Sequence, residues 1–126
     1  MLTLINAERA KRGVPPLVTD PTFQTVARMR TADMLARGFF SHNDPKTGER
    51  VAKAMLLKLG LNTPSGENFY WGRPYDPQFV ERVMRWFMSD PPHRDNIISS
   101  RWNVVGVSVM RGANDTVIAV QNFGMR

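Results

Sequence analysis

Two histidines and one glutamate are the residues of this chain best suited to site chemistry. His42 and His93 each lie in a short polar turn, and the chain has no other histidine. Glu67 lies between them in sequence, in a third turn. Two imidazoles and one carboxylate, brought together, form a small polar site that can hold a cation or polarise water. The function therefore depends on whether the fold brings these three side chains together.

Several common kinds of catalytic site are excluded by composition or lack their motifs. The chain has no cysteine, which excludes disulfides, thiolate metal sites and a cysteine nucleophile. It also has no Gly-x-Ser-x-Gly elbow, no glycine-rich phosphate loop and no His-Glu-x-x-His zinc helix. The sequence therefore does not favour a nucleophilic hydrolase, a nucleotide-binding protein or a thermolysin-like peptidase.

Length and composition predict one domain over residues 1–126. The 126 residues are 42% hydrophobic, which suffices for one core. No apolar stretch approaches the roughly 20 residues of a membrane span, and the first residues lack the pattern of an export signal. The net charge of +6 favours acidic partners, but the basic residues are scattered without interleaved aromatic residues. We therefore expect no nucleic-acid partner.

The first half of the chain contains three predicted helices, over Leu2–Arg12, Pro21–Arg37 and Glu49–Leu59. The second helix has the clearest ends, because Asp20 is a typical capping residue, Pro21 suits the first helical position and Gly38 is typical of a helix end. Arg30 falls on the apolar stripe of this helix. We therefore expect Arg30 either to have a buried partner or to extend its charge to solvent.

The second half of the chain contains, in order, a long irregular segment over Leu61–Pro74, a helix from Pro77 to Ser89, a short helical turn up to Ile98, and a hairpin of strands Val104–Met110 and Thr116–Phe123. Helices that precede a closing hairpin predict an α+β domain, with the helices packed on an antiparallel sheet. Phe69, Tyr70 and Trp71 line a groove for an apolar or sugar ligand or belong to the core, and core is expected for at least two of them. Trp86, in the middle of a helix, is expected to be a packing residue.

Short motifs in a fixed order connect this chain to a known family. They are Leu4–Arg9, Phe40–His42, Gly66–Asn68, Trp86–Ser89, His93–Ile97, Val105–Val107 and Val120–Gly124. In this order and spacing the chain resembles the CAP superfamily of cysteine-rich secretory, antigen 5 and pathogenesis-related 1 proteins, in particular its bacterial SCP-like branch. The resemblance implies a three-layer α-β-α sandwich with a small, mostly antiparallel central sheet and an extracellular or cell-envelope location.

The resemblance also implies a cleft that contains two histidines and two glutamates, with a divalent cation on the histidines of several members. By position, His42 and His93 match the two histidines, which makes them the candidate metal ligands, and Glu67 matches one glutamate. Ser89 stands at the position of the second glutamate. Glu81 is on the same helix but lies five residues before Trp86, and so about 140° further round from Trp86 at 100° per residue, so it cannot simply take over the role.

Three functions are compatible with this site. The first is a domain that binds a weakly held divalent cation, zinc above all, or a small or lipid-like ligand in the cleft, without strong catalysis. The second is a metal-dependent, peptidase-like hydrolase with a cation on His42 and His93 and with Glu67 as the base that activates water. The third is an adhesive module whose basic surface meets anionic lipid or cell-wall polymer.

Overall fold

The computed structural model describes all 126 residues, which form five helices and four strands. The helices are α1 (Leu2–Ala10), α2 (Pro21–Arg37), α3 (Val51–Lys58), α4 (Phe79–Ser89) and α5 (Pro91–Ile98). The strands are β1 (Val18–Thr19), β2 (Ser65–Gly72), β3 (Val104–Arg111) and β4 (Val117–Gly124). The predicted closing hairpin is β3 and β4.

The four strands form one sheet in the order β1-β3-β4-β2. β4 pairs antiparallel with both β2 and β3, whereas the two-residue β1 pairs parallel with β3. Every residue of β4 is buried, as a central strand between two helical layers requires. β2 is an edge strand, and its Glu67 lies opposite Asn122 of β4.

Helices cover both faces of the sheet. On one face, α2 and α3 pack through Phe23, Val26 and Leu56. On the other face, α1, α4 and α5 pack through a larger apolar cluster that includes Ile5 and Phe87. Successive β4 residues alternate between the two sides, as strand geometry dictates. The predicted three-layer α-β-α sandwich is thus confirmed.

Helix α2 lies unusually close to the sheet. The Asp20 side chain accepts hydrogen bonds from the backbone N–H groups of Thr22 and Phe23, and this caps the helix start. A Cβ atom at Gly106 of β3 would lie only 2.1 Å from the carbonyl oxygen of Phe23. Glycine at position 106 therefore permits the close approach that brings Arg30 of α2 to the sheet.

The prediction of an irregular segment over Leu61–Pro74 is wrong for most of its length. Residues Ser65–Gly72 form β2, which pairs with β4 along its full length of 8 residues. Glycine, glutamate and asparagine at 66–68 are depleted in strands, so local propensity does not indicate one here. Pairing with the buried β4 decides the conformation instead.

The fourth predicted helix starts two residues later than expected. Asp76 forms a turn ahead of the helix, where its Oδ1 accepts from the backbone N–H of Gln78, and Phe79 is the first residue of α4. The short turn predicted after it is a full helix, α5, of 8 residues. No helix of the structure combines the length and apolar character needed to cross a membrane.

Candidate functional site

An aromatic groove contains both histidines of the chain. Its volume is about 380 Å³. We call it the imidazole groove, and its lining residues are His42, Phe69, Tyr70, Trp71, Trp86 and His93. The predicted convergence of the two histidines on one cavity is therefore what the structure shows. Glu67 lies behind His42 and does not line this groove.

The two histidines reach the groove from opposite layers of the sandwich. His42 follows α2, and its ring meets Phe69 edge-on, with the ring centroids 4.7 Å apart. His93 belongs to α5 and stacks on Phe87 with ring centroids 5.1 Å apart. The two imidazoles therefore flank the edge strand β2, whose successive residues 69–71 supply three of the aromatic rings.

Glu67 is held by two cationic or hydrogen-bonding partners. Arg30 donates from Nε to Oε2 at 2.8 Å and from Nη2 to Oε1 at 3.0 Å, a bidentate ion pair. His42 Nδ1 lies 2.8 Å from the same Oε1 atom. Arg30 is 0% exposed and Glu67 is 7% exposed, so the pair is buried. Of the two arrangements expected for Arg30, a buried partner or a charge extended to solvent, the structure has the first, and the partner is Glu67.

The Glu67 carboxylate is a weak base in this environment. Burial alone would raise its pKa, but hydrogen bonds from His42 and from Arg30, together with the positive charge of Arg30, outweigh burial and lower the pKa below its ordinary value. The group is therefore ionised at neutral pH, with both oxygens engaged. The geometry fits the role of orienting the His42 imidazole better than that of taking a proton from water.

His93 has a matching carboxylate partner. Asp90, one helical turn earlier at the start of α5, forms a hydrogen bond with His93 Nδ1. Asn68 of β2 donates to the backbone carbonyl of His93 at 3.0 Å and so ties α5 to the sheet. Each imidazole thus has Nδ1 engaged by a carboxylate, and its Nε2 has no protein partner.

Three residues of this site were not identified from the sequence. The sequence indicates Arg30 only as a charged residue on an apolar stripe, predicts Trp86 to be a packing residue and assigns no role to Asp90. Trp86 is instead 44% exposed and lines the groove. The spacing of Asp90 three residues before His93 was a usable signal, because residues three apart on a helix are neighbours.

A protein-family model described as the cysteine-rich secretory protein family, CAP, matches residues 2–123. The chain belongs to the CAP family. The motifs around His42, Glu67 and His93, from which the resemblance was drawn, all fall inside the matched range.

Three bacterial proteins are similar to this CAP domain. YkwD of Bacillus subtilis is 29% identical over 114 residues, which are 90% of this chain and 42% of YkwD. An outer surface protein of Borrelia burgdorferi has the same fold, with a TM-score of 0.85 at 19% identity over 99% of this chain and 89% of that chain. An extracellular SCP-domain protein of Bacillus anthracis gives a TM-score of 0.75 at 24% identity, over 99% of this chain and 39% of that chain. The chain thus spans less than half the length of two of these relatives.

The position of the family's second glutamate lies outside the imidazole groove of this CAP domain. Ser89 donates from Oγ to the backbone carbonyl of Trp86 at 2.7 Å. It lines a separate open groove of about 520 Å³ between α1 and α4, together with Glu81 and Met88. Ser89 has no carboxylate, and Glu81 lines this separate groove. Glu81 therefore does not replace the family's second glutamate beside the two histidines.

The donor set of this CAP domain does not fit a permanently bound zinc ion. Structural zinc sites use four protein ligands and catalytic sites three, whereas no group of three or more His, Cys, Asp or Glu side chains is placed to hold a metal. A weakly held cation on the Nε2 atoms of His42 and His93 stays a prediction. The carboxylates on the two Nδ1 atoms favour it, because they orient each ring.

We expect zinc to bind to this pair with no better than micromolar affinity, and the single change His42→Ala is expected to abolish the binding. Titration calorimetry at neutral pH measures both, with Asn43→Ala in the neighbouring position as the control. Zinc binding that is unchanged in His42→Ala would place the ion elsewhere.

Proposed function

We propose that this chain is a ligand-binding CAP domain that holds a small, largely apolar molecule in the imidazole groove without covalent chemistry. The observation that carries the proposal is the lining of the groove. Four of its six residues are phenylalanine, tyrosine or tryptophan, and none is an aspartate, glutamate, lysine or arginine. Small-molecule sites are typically clefts of roughly 300–1,000 Å³ with mostly apolar walls and a few polar groups.

Two exposed tryptophans support a binding role over a packing role. Trp71 is 49% exposed and Trp86 is 44% exposed. Trp71 stacks on Phe40 with centroids 4.5 Å apart, which fixes the orientation of its indole ring. Large apolar rings that are held in place yet exposed within one cavity are typical of binding surfaces.

The two imidazoles supply the polar contacts of the proposed site. Their Nδ1 atoms are engaged by Glu67 and Asp90, so each ring has a fixed orientation. Each Nε2 atom is then available to hydrogen-bond a ligand or to hold a weakly bound cation. This arrangement gives a mostly apolar site two polar groups that fix the orientation of the ligand.

The hydrolase alternative receives less support from the same geometry. It requires Glu67 to accept a proton from water, but Arg30 and His42 engage both carboxylate oxygens and lower the pKa of the group. We place the domain outside the cytoplasm by analogy with the Bacillus anthracis protein, whose description calls it extracellular.

The neutral fluorescent probe N-phenylnaphthylamine tests the proposal. We expect saturable binding to the wild type, and a loss of about tenfold or more in affinity in the double variant Trp71→Ala, Trp86→Ala, since each aromatic contact contributes about 1 kcal/mol. The control is Leu57→Ala, which removes an equally exposed apolar side chain that does not line the groove. Absence of binding, or equal binding by the double variant, would refute the proposed site.

A further inference from the structure

We propose that two copies of this chain associate about a two-fold axis through the groove between α1 and α4, with Glu81 of each copy paired to Arg85 of the other. We call this cavity of about 520 Å³ the helical groove. No residue lines both the helical groove and the imidazole groove. Association through the helical groove is therefore independent of the proposed function.

Both walls of the helical groove have the side-chain spacing of helices that pack against a further element. Four residues of each wall are spaced i, i+3, i+4 and i+7, which places them on one face of their helix. On α1 they are Leu4, Ala7, Glu8 and Lys11. On α4 they are Glu81, Met84, Arg85 and Met88. Only α1 and α4 contribute lining residues, so within one chain nothing covers this pair of faces.

The helical groove has an apolar interior and a charged rim. Met84 is buried, and Leu4 and Met88 are half-buried. Glu81 and Arg85 are exposed. Methionine side chains are flexible and adapt to the surface of a partner. An apolar centre with methionine, surrounded by polar and charged residues, is the usual composition of a protein interface.

Glu81 and Arg85 are the charged residues of the groove that have no partner within the chain. They are four residues apart on α4, a spacing at which glutamate and arginine commonly pair. The ion pairs of the α1 wall join Glu8 to Lys11 and to Arg12, and no ion pair of the chain includes Glu81 or Arg85. One acid and one base on the same stripe are therefore available to a partner.

An antiparallel second copy of α4 supplies the charges that these two residues lack. A two-fold axis level with Val83, midway between residues 81 and 85, places Glu81 of each copy opposite Arg85 of the other. Four residues span about 6 Å along a helix in both copies, so the two ion pairs form together. The same patch of surface then serves both copies, as two-fold symmetry requires.

A partner of a single charge sign fits this surface less well. A polyanion would be repelled by Glu81, and a polycation would be repelled by Arg85 one helical turn away. A second copy satisfies both charges. The contact involves two short helices of 9 and 11 residues, so the interface is small. We expect a weak dimer with a dissociation constant of about 10 µM.

Sedimentation velocity of the chain at concentrations from about 1 to about 300 µM tests the inference. We expect the wild type to pass from monomer to dimer over this range. Glu81→Arg and Arg85→Glu, each alone, should weaken association about tenfold or more, because each change places like charges opposite one another twice in the dimer. Both positions are exposed, so the risk to folding is small.

An equimolar mixture of the two variants is the decisive measurement. The Glu81→Arg copy carries two arginines on its stripe and the Arg85→Glu copy carries two glutamates, so the mixture should recover association while each variant alone does not. Recovery would also show that both variants fold. The double change Glu81→Arg, Arg85→Glu within one chain should likewise restore the dimer, because each ion pair is then reversed.

The matched control is Arg28→Glu, which makes the same change of charge at an exposed position of α2, on the other face of the sheet. An equal loss of association in Arg28→Glu and Arg85→Glu would overturn the inference, because the effect would then come from overall charge. A mixture that stays monomeric, or a dimer that persists in Arg85→Glu, would also overturn it. A wild type that is monomeric throughout would leave the groove to a different occupant and refute association of two copies.

Discussion

Replacing Arg30 with methionine is expected to lower the free energy of unfolding by about 3–5 kcal/mol, because the Glu67 carboxylate is left buried without its charge partner. Arg30 is completely buried, and its only carboxylate contact is the bidentate pair with Glu67. Urea unfolding followed by circular dichroism measures the loss as a lower midpoint at an unchanged slope.

Two controls separate the buried pair from a general effect of removing arginine. Arg28→Met, on the exposed side of the same helix, is expected to change stability by about 0.5 kcal/mol or less. The double change Arg30→Met, Glu67→Leu is expected to recover much of the loss, since no unpaired charge remains. A loss below about 1 kcal/mol in Arg30→Met would contradict the structure around this pair.

The same pair gives the domain a characteristic acid sensitivity. The pKa of Glu67 is lower in the folded protein than its ordinary value of 4.5, so the ionised group stabilises the fold fully above that value. This contribution is lost as the pH falls through the lower, folded-state pKa. Glu67→Gln should therefore show a flatter decline of stability with acid than the wild type, which urea unfolding at a series of acidic pH values measures.

The second large effect is expected at Arg9, where substitution by methionine should cost about 3 kcal/mol or more. Arg9 is 1% exposed and donates only to backbone carbonyls. The acceptors are the oxygens of Pro15 at 2.7 Å, Ile97 at 2.9 Å, Ser99 at 2.8 Å and Trp102 at 3.2 Å. Together they connect α1 to the connector that follows it and to the end of α5.

The control for this prediction is Arg12→Met, in the turn that follows the same helix. Arg12 is exposed and pairs with Glu8 at 2.8 Å, so its loss is expected to cost about 0.5 kcal/mol or less. Arg9→Lys should recover only part of the stability, because a lysine ammonium cannot donate in four directions at this spacing. Thermal unfolding measures the loss of stability in both variants. If Arg9→Met and Arg12→Met lose equally little, the four hydrogen bonds of Arg9 do not contribute the predicted stability.

Local signals in the sequence were enough to predict α2 and the closing hairpin. Asp20 caps α2 as its residue type suggests, and Gly38 ends it with a positive φ of 63°. The hairpin was predicted with strands Val104–Met110 and Thr116–Phe123, and in the turn between them Asn114 and Asp115 adopt positive φ values of 57° and 59°. These features depend on backbone preferences of a few neighbouring residues, which is why the sequence alone indicated them.

The edge strand β2 was missed because its conformation depends on distant residues. Its first half has poor strand formers, and only its pairing with β4, far along the chain, makes it a strand. The candidate site also depends on residues that are distant in sequence. The convergence of His42 and His93 was inferred from family resemblance, whereas the Arg30 to Glu67 pair depends on how closely α2 approaches the sheet.

The two borders of the sheet differ in their risk of recruiting a strand from another molecule. β1 has only two residues, which is too short to serve as a template. β2 has 8 residues and a whole row of backbone groups without a ladder partner. Around that row stand the bulky rings of residues 69–71 and the two histidines from opposite layers. The side chains that form the groove therefore stand beside the unpaired edge of the sheet, where a strand of another molecule would have to approach.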